Sequence, residues 1–150
     1  MSIRYIEDGN AFDTGLQWIV HPVNVPEEER GALEEAFKKR FPSDEVSKYY
    51  QQLTWNTQYK VGNIGVWTDD YSEMYIVFFP IKELWEDKPT LLDIEVGLSR
   101  FRNFIKEWDI TQVAFPKLGE NIPLIDWDRE VKPLFERYLG DLDIDIEVYV

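Results

Sequence analysis

The stretch Pro89 to Pro116, PTLLDIEVGLSRFRNFIKEWDITQVAFP, decides the fold. Within it Ile94, Leu98, Phe101, Ile105 and Trp108 recur at helical spacing and form one apolar stripe. Thr90 stands three residues before Asp93, the spacing at which each side chain can satisfy the other's backbone amide, so the helix starts there. Val113-Ala114-Phe115-Pro116 then reads as a short apolar strand. A helix running straight into an apolar strand is the repeating unit of an α/β sheet.

Downstream, Lys117 to Ile125 reads as a loop. Asp126 or Asp128 can cap a further helix that carries Val131, Leu134, Phe135 and Tyr138 on its inner face, with Pro133 in the first turn. From Asp141 to Val150, Leu142, Ile144, Ile146, Val148 and Val150 alternate with acids. This predicts a half-exposed strand whose charges discourage edge-to-edge association.

Upstream, Met74–Phe79 and Gly62–Trp67 read as strands joined through Asp69-Asp70-Tyr71-Ser72. Glu28 to Arg40 has helical spacing, with Leu33, Ala36, Phe37 and Phe41 on one stripe and Pro42 as its stop, and a short helix follows from Asp44 to Gln52. Trp18–Val23 is apolar enough for a strand buried on both faces, and Ile3–Glu7 is a β-prone run ended by Asp8-Gly9-Asn10. Strands alternating with helices predict a three-layer α/β/α sandwich around a central mixed sheet, one domain over residues 1–150. Ligands of such sheets bind beyond the carboxyl ends of the strands. The segments to watch are therefore Val23–Glu29, Lys117–Ile125 and the one after Pro80.

Composition narrows the chemistry. The 150 residues hold 16 Lys and Arg against 29 Asp and Glu, a formal charge of −13, with 44% apolar and 15% aromatic residues. A chain this acidic repels phosphate backbones, which excludes general nucleic-acid binding, while a basic protein remains a fitting partner. There is no cysteine, hence no disulfide, thiol nucleophile or thiolate metal site, and the lone His21 excludes chemistry that needs two imidazoles. No cofactor or metal is expected. No run approaches the ~20 apolar residues of a membrane span, and no leader pattern opens the chain, so a cytoplasmic protein without a membrane partner is the expectation. His21, on a buried strand before Pro22, reads as a core histidine. Of the six tryptophans most read as core, with Trp85 and Trp127 near enough to the watched segments to stack on a base.

Several strings, taken in order, resemble the macro domain, the family that recognises ADP-ribose. They are IRYIEDGNAFDTGLQWIVHPVN at 3–24, FKKRFP at 37–42, FPIKELW at 79–85 with LLDIEVGL at 91–98, PKLG at 116–119 and IDWDREVKPL at 125–134. FPIKELW with LLDIEVGL is similar to the branch containing DNA ADP-ribosyl glycohydrolase antitoxins. The resemblance implies recognition of ADP-ribose, or of an ADP-ribosylated macromolecule. Activity, where present, would be of the ADP-ribosyl glycohydrolase or ADP-ribose 1″-phosphate phosphatase type. It implies Asn24 on the distal ribose, whose hydroxyls both donate and accept as a carboxamide does. It implies Lys82 near the anomeric carbon, as a base or as an amine forming an imine, either of which needs the neutral form. Asn10 falls where the family's adenine-contacting acid stands, and Gly31, Gly119, Glu120 and Asn121 fall in the loops around the diphosphate.

Both of those loops depart from the family's glycine-rich pattern. The first reads Val25-Pro26-Glu27-Glu28-Glu29-Arg30-Gly31 and the second Gly119-Glu120-Asn121-Ile122-Pro123-Leu124. Side chains and carboxylates stand where glycine would let backbone amides approach a phosphate, and Pro26 removes one donor. Two readings follow: a divergent ADP-ribose-recognising domain, and a catalytically inactive scaffold that works through protein contacts of its acidic surface.

Overall fold

The computed structural model describes residues 3–23, 35, 37–42, 45, 48–49, 64–70, 72–80, 90–118 and 125–150. The strands are β1 (Ile3–Ile6), β2 (Trp18–Val23), β3 (Gly65–Asp69), β4 (Met74–Pro80), β5 (Gln112–Pro116) and β6 (Asp145–Tyr149). They form one 6-stranded sheet in the order β1-β6-β5-β2-β4-β3. Only the β3–β4 pair is antiparallel, so the sheet is mixed, as expected. Its hairpin turns at Glu73, whose φ of 59° is held by the Asp69 carboxylate accepting from the Ser72 amide at 3.0 Å and the Ser72 hydroxyl.

Helix α1 (Leu91–Glu107) begins as read from the sequence. The Asp93 amide donates to Thr90 Oγ1 at 3.2 Å, and the Thr90 amide to Asp93 Oδ2 at 3.0 Å. Ile94, Leu98, Phe101 and Ile105 are buried against Val20, Val77, Phe79, Val113 and Phe115 of the sheet. The helix seats closely because Gly97 lacks a side chain: a Cβ there would lie 2.5 Å from Phe79 Cζ. Trp108 departs from the expected stripe. It is the C-cap of α1, and the chain reverses just after it at Asp109 (φ 51°), which leaves the indole 52% exposed.

Helix α2 (Lys132–Leu139) lies on the same face and buries Leu134, Phe135 and Leu139, whereas Tyr138 is half-buried. Asp126 is the cap, its carboxylate accepting from the Arg129 amide at 3.1 Å. Between cap and helix stands a π-turn, Trp127–Val131. Pro133 offers a reason: its ring clashes with the carbonyl four residues earlier, and a widened turn gives that carbonyl room.

The opposite face is covered by the connection after β1 and by helical residues 37–40. There Phe12, Phe37 and Phe41 pack over Ile19, Ile76 and Phe78, completing the third layer. Of the two helices expected between β2 and β3, Glu35, residues 37–40, Glu45, Lys48 and Tyr49 are helical, while Leu33, Ala36 and most of 44–52 lie outside the described residues. No helix among the described residues is long and apolar enough to cross a membrane.

The last strand corrects the sequence reading. β6 is not a half-exposed edge but runs between β1 and β5. Ile146 and Val148 are fully buried, and Glu147 is only 9% exposed. Alternation with acids had implied solvent on one face; instead the polar face of β6 is roofed by the segment after β1. Thr14 donates to Glu147 Oε1 at 2.6 Å, Tyr149 to the same oxygen at 2.8 Å, and Arg4 Nη2 to Oε2 at 3.1 Å. A buried carboxylate so bonded is satisfied rather than stranded.

Candidate functional site

Chain direction places the site. After β2 the chain covers one face through Phe37 and Phe41, while α1 after β4 and α2 after β5 cover the other. β2 lies between β5 and β4. The connections from its two neighbours thus lead to the face opposite the one reached from β2, the strand order beyond whose carboxyl ends α/β sheets take ligands.

The rim is built of proline. Pro22 pairs with Phe79, Pro80 with Val23, and Pro116 with Tyr149, so three adjacent parallel strands have proline at or next to their last residue. A proline gives the ladder no amide, so each of these strands lacks one donor at this end.

Around this rim the described residues are few. Asn10, exposed after β1, uses its side-chain oxygen to accept from the Phe12 amide at 2.9 Å and so caps the 3-10 turn Ala11–Asp13. Next to it Gly9 allows close approach, since a Cβ would lie 2.9 Å from the Tyr149 ring. Beyond β5, Lys117 is half-buried with its ammonium 5.9 Å from the centre of the Trp127 ring, which leans on Phe135 at 5.5 Å. Trp127 thus has packing partners of its own at the mouth of the second watched segment.

His21 is a core residue, as read. It is 1% exposed and stacks on Phe37 at 4.3 Å and 11°. Burial pushes its pKa down to about 3, so the imidazole is neutral and enclosed, with Phe12 and Phe78 also against it. Of the other expected site residues, Asn24, Gly31, Lys82, Gly119, Glu120 and Asn121 lie outside the described residues, as does Trp85.

A second concavity, about 620 Å³, opens at the opposite end of the sheet, lined by Arg4, Thr111, Asp141, Asp143 and Asp145 among others. Two of its carboxylates are engaged: Arg4 grips Asp145 with two nitrogens, and Arg102 grips Asp141 in the same way. The bond to Arg102 holds the Asp141 carboxyl below its ordinary pKa. This concavity belongs to the fold's ion pairing. The sequence reading missed these pairs and the Glu147 network alike, because the partners stand up to 143 residues apart in the chain.

No protein-family model matches the chain. Solved structures match it along its length. The macrodomain of Thermus aquaticus DarG superposes with a TM-score of 0.81 at 25% identity, covering 99% of this chain and 97% of that one. Thermosipho africanus DarTG in complex with ADP-ribose gives 0.79 at 23% identity, covering 99% of this chain and 41% of that one. Among curated proteins, the DNA ADP-ribosyl glycohydrolase of Mycobacterium tuberculosis is 27% identical over 115 residues, 75% of this chain. The match spans 32% of that relative's length. In fold the chain is a macrodomain, and the resemblance to the DNA ADP-ribosyl glycohydrolase branch stands.

Proposed function

We propose that the domain recognises an ADP-ribosyl group in the crevice beyond β2, with Asn24 binding the distal ribose and Lys82 acting at the anomeric carbon. The observation that carries this reading is the divergence of chain at one point of the sheet. Asn24 directly follows Val23, Lys82 comes two residues after Pro80, and Gly119 three after Pro116, so the candidate segments leave three neighbouring strands from the same edge. The curated relative's name, a DNA ADP-ribosyl glycohydrolase, and the Thermosipho structure's bound ADP-ribose support the ligand class.

In this reading the amine of Lys82 takes a proton from the attacking water. The new bond from oxygen to the anomeric carbon forms as the bond to the modified base breaks, and the departing base carries the proton away. Glu83, Glu86 and Asp87 follow closely in the chain and would favour the charged amine if they face it, so the site must desolvate Lys82 to make it useful. Incubating ADP-ribosylated DNA, ADP-ribosylated protein and ADP-ribose 1″-phosphate with wild type and Lys82→Ala tests the assignment. Turnover of one of them should vanish in Lys82→Ala while affinity for ADP-ribose changes little, and Asn24→Ala should weaken binding itself. Turnover that survives Lys82→Ala removes that residue from the mechanism.

One sequence feature favours the scaffold reading: Pro26 and Glu27 to Glu29 stand in the first phosphate loop. Calorimetric titration with ADP-ribose separates the two. No heat of binding, together with no turnover of any of the three substrates, selects the scaffold.

A further inference from the structure

The end of the sheet away from the crevice carries an exposed indole that the fold does not need to leave open. Trp108 and Leu92 are the large apolar residues exposed among the described ones, at 52% and 66%. Leu92 stands on the first turn of α1. Trp108 is held: its ring stacks on Phe104 at 5.3 Å and 22°, and meets Trp18 edge-on at 6.2 Å. Trp18 in turn stacks on Tyr75 at 4.3 Å and 12°. Rings from α1, β2 and β4 thus make a rigid aromatic shelf with one face open to solvent.

Carboxylates border it. Glu107 and Asp109, both exposed, flank Trp108 in the chain, and exposed Glu73 precedes Tyr75 by two residues. Gln17 ties that last turn to the shelf, donating through Nε2 to the Glu73 carbonyl at 3.4 Å while its own carbonyl accepts from the Tyr75 amide at 2.8 Å. Lys106, two residues before Trp108, is a cation whose charge acts on Asp141. An exposed indole with exposed carboxylates beside it in the chain attracts a cation on two counts, and a planar guanidinium satisfies both by stacking while donating to a carboxylate.

We propose that this shelf is a docking site for an arginine-bearing basic segment of a partner protein. Charge selects the occupant. The chain's −13 repels nucleic acid and equally a second copy of itself, whereas it draws a basic segment. Geometry leaves the crevice free: Trp18 opens β2 and Val23 ends it, a separation of roughly 16 Å at the rise of an extended strand.

The test uses a fluorescent, end-capped peptide of alternating arginine and glycine, and the same peptide with citrulline in place of arginine. At physiological salt the arginine peptide should bind wild type, and Trp108→Ala should weaken it about two- to fivefold, the scale of an exposed cation–π contact. Glu107→Gln with Asp109→Asn should weaken it also, and citrulline should abolish it. Trp108→Phe, which keeps a ring, should bind within about twofold of wild type, and its comparison with Trp108→Leu stands in if the alanine variant fails to fold. Leu92→Ala should bind as wild type does. Undiminished binding by Trp108→Ala or Trp108→Leu, or equal binding of the citrulline peptide, overturns the proposal. A dimer in sedimentation that Trp108→Ala dissolves also overturns it, and gives the shelf to a second copy.

Discussion

On one face of the sheet, α1 and α2 lay a continuous apolar surface over Val20, Val77, Phe79, Phe115 and Val148. On the other, a 3-10 turn and the segment around Phe37 and Phe41 cover Ile19, Ile76 and Phe78, and enclose His21, Thr14 and Glu147 beside them. The first face is organised by periodicity and needs no polar group. The second is organised by particular contacts: a ring stack, a shared carboxylate oxygen, a capped turn. Helices supply their own backbone hydrogen bonds and can be wholly apolar where they pack, whereas a loop must bring polar partners with it.

If that contrast holds, the largest single loss should come from the helix-covered face. Phe101→Ala empties a fully buried ring site against Phe79 and Phe115 and should cost about 3–5 kcal/mol, read by urea unfolding. A cost under 1 kcal/mol would mean that this face repacks freely and that the two faces differ less than their composition suggests.

Where the turn after β1 covers the sheet, failure should come through polarity rather than volume. Thr14→Val keeps the shape but takes a donor from Glu147 and should cost about 1–3 kcal/mol at neutral pH. In Glu147→Gln the same substitution at Thr14 should cost less, because no buried charge is left short of a partner. Equal costs in both backgrounds would show that Thr14 acts through packing and the bond its hydroxyl accepts from the Leu16 amide, not through Glu147.

The finest discriminator is pH. His21 titrates near 6.5 when unfolded but near 3 in the folded chain, because burial disfavours its charged form. Between those values the unfolded chain binds the extra proton. The stability this group contributes is therefore whole above about pH 6.5 and falls with pH by up to about 1.4 kcal/mol per unit. Unfolding followed from pH 7 to pH 4 should show the slope in wild type and a shallower one in His21→Phe. Identical slopes would mean that the imidazole is protonated inside the fold.

The same contrast explains what could be read from residues alone. α1 was legible because its cap and its buried positions are written within seventeen residues of one another. Trp108 was misplaced because spacing continues a stripe past the point where Asp109 turns the chain. β6 was misplaced because alternation reports which side chains share a face, not which strands lie alongside, and its neighbours come from the two ends of the chain. Of the site, the legible part was topological: the segments after Val23, Pro80 and Pro116 do leave one edge of the sheet. The roles proposed for Asn24 and Lys82 rest on resemblance, since no short-range pattern marks a ribose contact or a basic amine.

The prolines at that edge bear on how such a domain changes over generations. Pro22, Pro80 and Pro116 stand at or next to the ends of β2, β4 and β5, so the pairings that fix strand registry lie upstream of the connecting segments. Insertions and substitutions beyond the rim then leave the pairing, and with it the hydrophobic inventory of both faces, untouched. The sheet behaves as a chassis whose attachments are exchanged at low thermodynamic risk. A lineage can trade glycine for glutamate in those segments and remain folded while its chemistry is rewritten.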